Sequence, residues 1–206
     1  MFHDRLEAAD RLAQALSAHR GQQTLVLAIP RGAVPMARRI AQRLACDFDV
    51  VLVRKLGAPG QPELAIGAVD EGGWTYVAPF AERLGADAAY VARQREQALA
   101  VLRERRLRYT PLRPPHEVTG RTVIVVDDGL ATGATMIAAL HSLRERTPAR
   151  LVCAVPVAPP DTLARVRALA DEVVCLHSPP DFRAVGQYYR DFEQVEDEEV
   201  LALLRD

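Results

Sequence analysis

The chain has 206 residues, a length that suits one domain with its own hydrophobic core. Hydrophobic residues make up 49% of it and charged residues 26%, which is too apolar for a disordered chain. The formal net charge of −1 excludes the bulk positive field that recruits nucleic acid or anionic lipid. The N-terminus lacks the apolar core of a signal peptide, and no apolar run approaches the ~20 residues that span a membrane. We therefore expect a cytoplasmic protein with neither a nucleic-acid nor a membrane partner.

The first half of the chain alternates helical and strand patterns. Apolar residues spaced three and four apart indicate helices, and short continuous apolar runs indicate strands buried on both faces. In chain order the patterns predict a helix over 2–19, a strand over 24–29, a helix over 34–44 and a strand over 49–54. A Gly- and Pro-rich loop over 57–62 follows, and then a hairpin whose two strands cover 64–69 and 74–77.

The second half continues the alternation. It predicts a long helix over 86–109 that ends at 110–115, and then a strand over 122–126, a helix over 134–145, a strand over 151–155, a helix over 160–170 and a strand over 172–176. This order predicts an α/β fold with a mainly parallel, open sheet flanked by helices. We expect a single domain over 1–206, with a core over about 22–177 and a C-terminal tail over about 178–206.

The long helix has two interpretations. It is rich in Arg, Glu, Gln and Ala, and Val91, Leu99 and Leu102 belong to an apolar stripe along it. In one interpretation that stripe packs on the rest of the chain while the other faces are solvated. In the other, the helix forms a contact between two copies of the chain, as in a homodimer.

The loop after the strand over 122–126 carries the most informative motif, Asp127-Asp128-Gly-Leu-Ala-Thr-Gly-Ala-Thr135. In a parallel sheet, ligands bind beyond the carboxyl ends of the strands. Two carboxylates at such an end can accept hydrogen bonds from vicinal hydroxyls or hold a hydrated Mg²⁺. The small residues that follow let the backbone close on an anion at a helix N-terminus. A sugar diol beside its own phosphate has this layout.

This stretch resembles the phosphoribosyl pyrophosphate (PRPP) motif of type I phosphoribosyltransferases. The resemblance implies that Asp127 and Asp128 bind the ribose 2′ and 3′ hydroxyls and meet Mg²⁺ through water or through those hydroxyls. It implies that the 5′-phosphate lies in the loop of Ala131, Thr132, Gly133, Ala134 and Thr135. The family fold is a Rossmann-like open sheet, here with a small hood from the tail and a long helical insertion at about 80–109.

Two further loops are similar to the same family. Arg31, Gly32 and Ala33, after the first strand, resemble its pyrophosphate loop, which often holds a non-proline cis peptide. Arg54 and Lys55, which we place at the end of the second strand, resemble an Arg-Lys pair that contacts pyrophosphate in some members. The chain has 26 basic residues, of which Lys55 is the one lysine. Codon bias explains the arginines but not why the lysine stands at this position.

The resemblance implies an enzyme of the glycosyltransferase class that acts in nucleotide metabolism. A nitrogen of a nucleobase or related heterocycle would displace pyrophosphate from C1 of PRPP, with Mg²⁺ as the cofactor. Closure of a mobile loop over about 56–73 would exclude water. The residues expected to be catalytic are Arg54, Lys55, Asp127 and Asp128.

The sequence says less about which heterocycle accepts the phosphoribosyl group than about the PRPP site. Hypoxanthine/guanine enzymes of the family carry an Asp where this chain has Ala131, which argues against that substrate. We expect a base pocket under the hood, with Val157, Phe182 and Tyr188 as its candidate residues. The alternative for the aromatic residues is that they attach the tail to the sheet.

A second function is compatible with the same motif, namely a non-catalytic regulator that binds PRPP or a nucleotide. A regulator of transcription would need a DNA-binding module or a basic face, and the balanced charge offers neither. Arg54, Lys55 and the loop after them favour catalysis, because simple binding does not require them.

Overall fold

The computed structural model describes residues 1–21, 23–109 and 115–205. The predicted end of the long helix at 110–115 falls, except for its last residue, outside the described residues. The strands are β1 (Thr24–Ala28), β2 (Asp47–Val50), β3 (Val53–Ala58), β4 (Gln61–Asp70), β5 (Thr75–Val77), β6 (Thr122–Val126), β7 (Arg150–Val157) and β8 (Glu172–His177). The α-helices are α1 (Arg5–Ala15), α2 (Val34–Leu44), α3 (Ala88–Tyr109), α4 (Ala134–Arg144), α5 (Pro160–Arg167) and α6 (Asp197–Arg205).

The central sheet is parallel, with the strand order β2-β1-β6-β7-β8. Its three inner strands are apolar after their first residue because helices cover both faces. Successive β1 residues serve opposite faces: Leu25 and Leu27 join one core, and Val26 and Ala28 join the other. Helices α1, α2 and α6 cover one face and α4 and α5 the other. The predicted α/β class with a mainly parallel sheet is confirmed.

The predicted strand over 49–54 is wrong, because two different strands share that segment. Asp47–Val50 pairs with β1, and the Val51 amide makes a last hydrogen bond to the Ala28 carbonyl at 3.0 Å. The chain then leaves the sheet, and Val53–Ala58 begins a separate antiparallel sheet with the order β3-β4-β5. The apolar run continues across the break because its residues are buried on both sides of it.

The antiparallel sheet packs between α3 and α4. On the α4 side, the Trp74 ring stacks on His141 with the ring centroids 3.7 Å apart. On the α3 side, the Tyr90 hydroxyl donates to the Gly57 carbonyl at 2.9 Å, and Arg106 donates to both carboxylate oxygens of Glu71 at 2.8 and 2.7 Å. The segment expected to be a mobile loop is therefore mostly a hairpin held from both sides.

Helix α3 packs one apolar stripe on the molecule, as the first interpretation of it predicted. Its residues Ala98, Leu99, Leu102 and Tyr109 are buried, and Val91 packs partly against the same core. A contact between copies of the chain stays a prediction. Among the described residues, no helix has both the length and the apolar character to cross a membrane.

The N-terminus and the tail are paired with each other. The Phe2 amide donates to the Tyr188 carbonyl at 2.7 Å, and the Arg190 amide donates to the Phe2 carbonyl at 2.9 Å. The rings of Phe2 and Tyr189 lie 5.5 Å apart and are both almost fully buried. This pairing brings the start of α1 and the segment before α6 to the carboxyl edge of the central sheet.

Candidate functional site

Two loops meet beyond the carboxyl ends of β1 and β6, which are neighbours in the sheet. A Cβ atom on Gly32 would lie 2.2 Å from Oδ2 of Asp128, so only glycine fits this contact. The expected cis peptide is present between Pro30 and Arg31. The pyrophosphate-type loop and the paired carboxylates thus form one site, as the topology of a parallel sheet requires.

The two adjacent carboxyl groups differ in their partners. Oδ1 of Asp127 accepts the Asp128 amide at 2.9 Å, the one hydrogen bond seen for the Asp127 carboxyl within the described chain. Burial and then the neighbouring Asp128 charge raise the pKa of Asp127 well above its ordinary value. Burial also raises the pKa of Asp128, while Arg5 opposes that rise.

Arg5, at the start of α1, is a site residue that the sequence analysis missed. Its Nε and Nη2 atoms each lie 2.9 Å from Oδ2 of Asp128, and its Nη1 donates to the Glu193 carbonyl at 2.6 Å. Its guanidinium also lies 3.9 Å from the centre of the Phe192 ring. In the sequence, Arg5 is one charged residue in an amphipathic helix, so no local signal distinguishes it.

The loop of small residues is held by the helix behind it. The Thr162 hydroxyl donates to the Ala131 carbonyl at 2.7 Å, and Arg165 donates to the Thr132 carbonyl at 3.1 Å. Gly133 has a φ of +74° and is the N-cap of α4, where a Cβ atom would lie 2.6 Å from Cγ2 of Thr162. The Ala134 amide, the first of α4, donates to the Thr132 hydroxyl at 3.5 Å, and the first amides of a helix have no partner within it, so they are available to an anion.

A cavity of about 700 Å³ opens over this loop. Of the candidate residues it is lined by Arg31, Gly32, Lys55, Asp128, Ala131, Thr132, Gly133, Ala134 and Thr135. Residues that the sequence analysis did not select line the rest of it, namely Arg5, Glu63, Leu64, Ala65, Gly129, Leu130, Arg183, Ala184, Val185, Phe192, Gln194 and Val195. The lining from β4 and the tail includes an apolar wall of Leu64, Val185, Phe192 and Val195, beside the polar residues Glu63, Arg183 and Gln194.

The candidate base residues Val157, Phe182 and Tyr188 are not among the lining residues of this cavity. Val157 is fully buried and accepts the Leu130 amide at 2.9 Å through its carbonyl. Phe182 and Tyr188 stack on each other with their ring centroids 5.6 Å apart. Ala33 is buried at the N-terminus of α2, also outside the cavity lining.

A second cavity, of about 310 Å³, adjoins the first and is rich in cations. Its charged lining residues are Arg31, Arg54, Lys55, Arg105, Asp127 and Asp128. Burial, then Arg105 and Arg31, lower the pKa of Arg54 below its ordinary value, as expected where cations crowd together. Arg54 and Lys55 lie on β3 rather than at the end of a central strand, and Lys55 Nζ is 2.6 Å from Oε2 of Glu63.

A divalent cation fits the carboxyl pair only if a ligand completes its coordination. The described residues contain no group of three or more His, Cys, Asp or Glu side chains that could enclose a metal ion. Asp127 is desolvated beside a second carboxylate, so a nearby cation would relieve its charge. Mg²⁺ keeps waters and shares phosphate-bearing ligands with one or two protein carboxylates, which suits this pair.

Comparison with known proteins agrees with the geometry. A family model described as the phosphoribosyl transferase domain matches residues 2–193. Two Mycobacterium tuberculosis proteins, Rv0571c of strain H37Rv and MT0597 of strain CDC 1551, are each 44% identical over 205 residues; their names assign them provisionally to the phosphoribosyl transferases. The match covers 99% of this chain and 46% of each relative, so the chain spans about half their length.

Among solved structures, the crystal structure of TT1426 from Thermus thermophilus is 49% identical in sequence. Its TM-score is 0.81, and the match covers 99% of this chain and 97% of that one.

Proposed function

Because this chain belongs to the phosphoribosyl transferase domain family, we propose that it transfers the phosphoribosyl group of PRPP to a nitrogen heterocycle. A bond forms between the acceptor nitrogen and C1 of the ribose, and the bond from C1 to the pyrophosphate oxygen breaks. The acceptor nitrogen loses its proton and pyrophosphate leaves. The observation that carries the proposal is the pair of adjoining cavities, which meet at Asp128, one over an anion-binding loop and one rich in cations.

The first cavity holds the phosphate and ribose end of the substrate. The amides that begin α4 and the Thr132 and Thr135 hydroxyls donate to the 5′-phosphate. Asp127 and Asp128 accept hydrogen bonds from the ribose hydroxyls and fix the ring while C1 gains positive charge. Arg5 favours the ionised form of Asp128 and orients its carboxylate for that role.

The second cavity holds the leaving group. Negative charge accumulates on pyrophosphate as its bond to C1 breaks, and Arg31, Arg54 and Lys55 stabilise that charge. Bound Mg²⁺ would add a Lewis acid that neutralises part of the same charge. Asp127 and Asp128 would hold it, through water or through the ribose hydroxyls.

The acceptor lies against the apolar wall of the first cavity. Leu64 comes from β4, and Val185, Phe192 and Val195 come from the tail. An aromatic heterocycle suits such a wall because its faces are apolar and its nitrogens lie at the edge.

A direct test is release of pyrophosphate from Mg–PRPP in the presence of a panel of purine, pyrimidine, pyridine and imidazole bases. We expect release with at least one heterocycle and none with the Asp127→Asn variant. If the wild-type chain binds PRPP but releases no pyrophosphate across the panel, it is a PRPP-binding regulator rather than a transferase.

A further inference from the structure

Helix α3 directs one arginine at the cation-rich cavity. Arg106 donates to both carboxylate oxygens of Glu71, and Arg108 lies 3.5 Å from Asp197. Arg103, two residues from Arg105, is exposed to solvent. Arg105 differs from all three because it lines the cavity of about 310 Å³, and it is half-buried, as Arg106 is.

Arg105 and Arg54 are the cations of this cavity that have no carboxylate partner within the described chain. Arg31 lies 3.5 Å from Glu196 and 3.8 Å from Asp197, and Lys55 is paired with Glu63. Oδ2 of Asp128 is already occupied by Arg5. Crowded, partly desolvated guanidinium groups without counter-ions are unfavourable unless an anion binds among them.

A multiply charged anion suits the geometry of this cavity. Arginine side chains come from the loop after β1, from β3 and from α3, and so they surround the space from three elements. Planar guanidinium groups bind phosphate oxygens with two donors each, which a single lysine does not. Asp127 and Asp128 form the border where the ribose of the proposed substrate would lie.

We propose that Arg105 binds the pyrophosphate group of PRPP together with Arg31 and Arg54. The inference rests on the proposed function and extends it to α3, for which the sequence suggested only packing or a contact between copies. The long helix then acts as a wall of the active site that supplies one phosphate ligand. Its salt bridge from Arg106 to Glu71 and its contact with the hairpin fix the direction of Arg105.

Calorimetric titration with three ligands separates this role from a structural one. The ligands are Mg–PRPP, Mg–pyrophosphate and ribose 5-phosphate, and the variants are Arg105→Ala, Arg105→Lys and the matched control Arg103→Ala. Loss of a charged hydrogen bond to phosphate predicts that Arg105→Ala weakens binding of PRPP and pyrophosphate about 10- to 100-fold. Ribose 5-phosphate should bind unchanged, Arg105→Lys should recover part of the loss, and Arg103→Ala should match the wild type.

Two results would overturn the inference while leaving the proposed function intact. One is wild-type affinity of Arg105→Ala for pyrophosphate and PRPP. The other is an equal loss for all three ligands, which would mean that Arg105 supports the fold and not the leaving group. If the wild-type chain binds no PRPP, the proposed function itself fails, and the inference fails with it.

Discussion

Asp127 and Asp128 are neighbours in sequence, and burial raises the pKa of both, but their partners differ. Asp128 is paired with the guanidinium of Arg5, and its carbonyl accepts the Tyr189 hydroxyl at 2.7 Å. Asp127 forms no ion pair within the described residues and lies beside the Asp128 charge, while the opposing effect of Arg5 on its pKa is the smallest, so its ionised form is unfavourable in the ligand-free fold. Binding of a diol or a hydrated cation would therefore stabilise the ionised form of Asp127 more than that of Asp128.

The first prediction is that Asp127→Asn stabilises the ligand-free protein. Because the pKa of Asp127 is raised in the fold, the folded chain holds a proton that the unfolded chain has released. The penalty is absent below the ordinary pKa of Asp and grows as the pH rises above it. Thermal melts should therefore show a higher Tm for the variant at pH 8, by roughly 2–4 °C per kcal/mol gained, and little difference near pH 4.

The matched control is Asp128→Asn, whose Tm at pH 8 should lie below that of Asp127→Asn. Burial raises the pKa of Asp128 as well, but Arg5 opposes that rise, and the change leaves the Arg5 guanidinium largely buried, at 13% side-chain exposure, without its carboxylate. An equal Tm for the two variants would contradict the electrostatic difference between the two carboxyls.

A second prediction concerns Gly32. Its missing side chain lets the loop after β1 touch the Asp128 carboxylate, and a Cβ atom would also lie 3.2 Å from Nε of Arg5. Gly32→Ala must displace the Asp128 carboxylate or separate the two loops, so PRPP affinity should fall at least about 10-fold, as for loss of one charged hydrogen bond. Gly72→Ala is the control, since a Cβ atom there comes no closer than 3.3 Å to any neighbour. Calorimetry would show equal affinities for the two variants if the contact is unimportant.

At the scale of residues, the sequence predicted the part of the candidate site that is contiguous along the chain. Asp127 to Thr135 form one loop, so their spacing alone carries the layout of a phosphate beside a diol. Arg5 lies 123 positions from Asp128 in the sequence. Arg105 is one of several arginines on a helix whose composition indicates mostly solvent-exposed faces. Only the fold brings these two residues to the site, and no local pattern distinguishes them.

At the scale of elements, the hairpin β3-β4 contributes residues to both cavities. It carries Arg54 and Lys55 on one strand and Leu64 and Ala65 on the other. Its position depends on α4 behind it, which also begins at the phosphate loop. Trp74, which lies between β4 and β5, stacks on His141 of α4 and so packs the antiparallel sheet against the helix that begins after Gly133.

The third prediction is that Trp74→Ala loosens the hairpin. The lost aromatic pair is worth about 0.5–1.5 kcal/mol beyond the buried area, so the Tm should fall. The affinity for PRPP should fall with it, because Arg54 and Lys55 are carried by the hairpin. The affinity for ribose 5-phosphate should change less, because that ligand occupies the first cavity, which Arg54 does not line.

Trp74→Phe provides the control, since it keeps an aromatic ring against His141. It should recover most of the PRPP affinity. If Trp74→Ala weakened both ligands by the same factor, the hairpin would not be the element that positions the pyrophosphate end.

The elements of the central sheet were predictable because buried strands and amphipathic helices have distinct periods. Helix α2 begins and ends at the predicted residues, Val34 and Leu44. The segment 49–54 was not predictable in the same way, because Val50 to Val53 stay buried as the chain moves from one sheet to the other. Hydropathy reports burial and not the partner strand, so it could not show the change of sheet.

At the scale of the whole molecule, the two ends of the described chain converge on the site. Phe2 pairs with the tail at Tyr189, and Arg5 contacts Phe192 and the Glu193 carbonyl. We propose on this basis that the residues described form one domain, because its first helix and its tail complete a single site. The sequence predicted a hood from the tail but not the part that α1 plays in it, since pairing of distant segments leaves no local pattern.

The central claim is that the two cavities together bind PRPP, and calorimetric titration with Mg–PRPP tests it most directly. The wild-type protein should bind PRPP with a stoichiometry of one molecule per chain. The double variant Asp127→Asn, Asp128→Asn should keep a cooperative thermal transition and lose at least about 100-fold in affinity, since each carboxylate accepts charge-assisted hydrogen bonds. Failure of the wild-type chain to bind PRPP, or unchanged affinity of the double variant, would contradict the account.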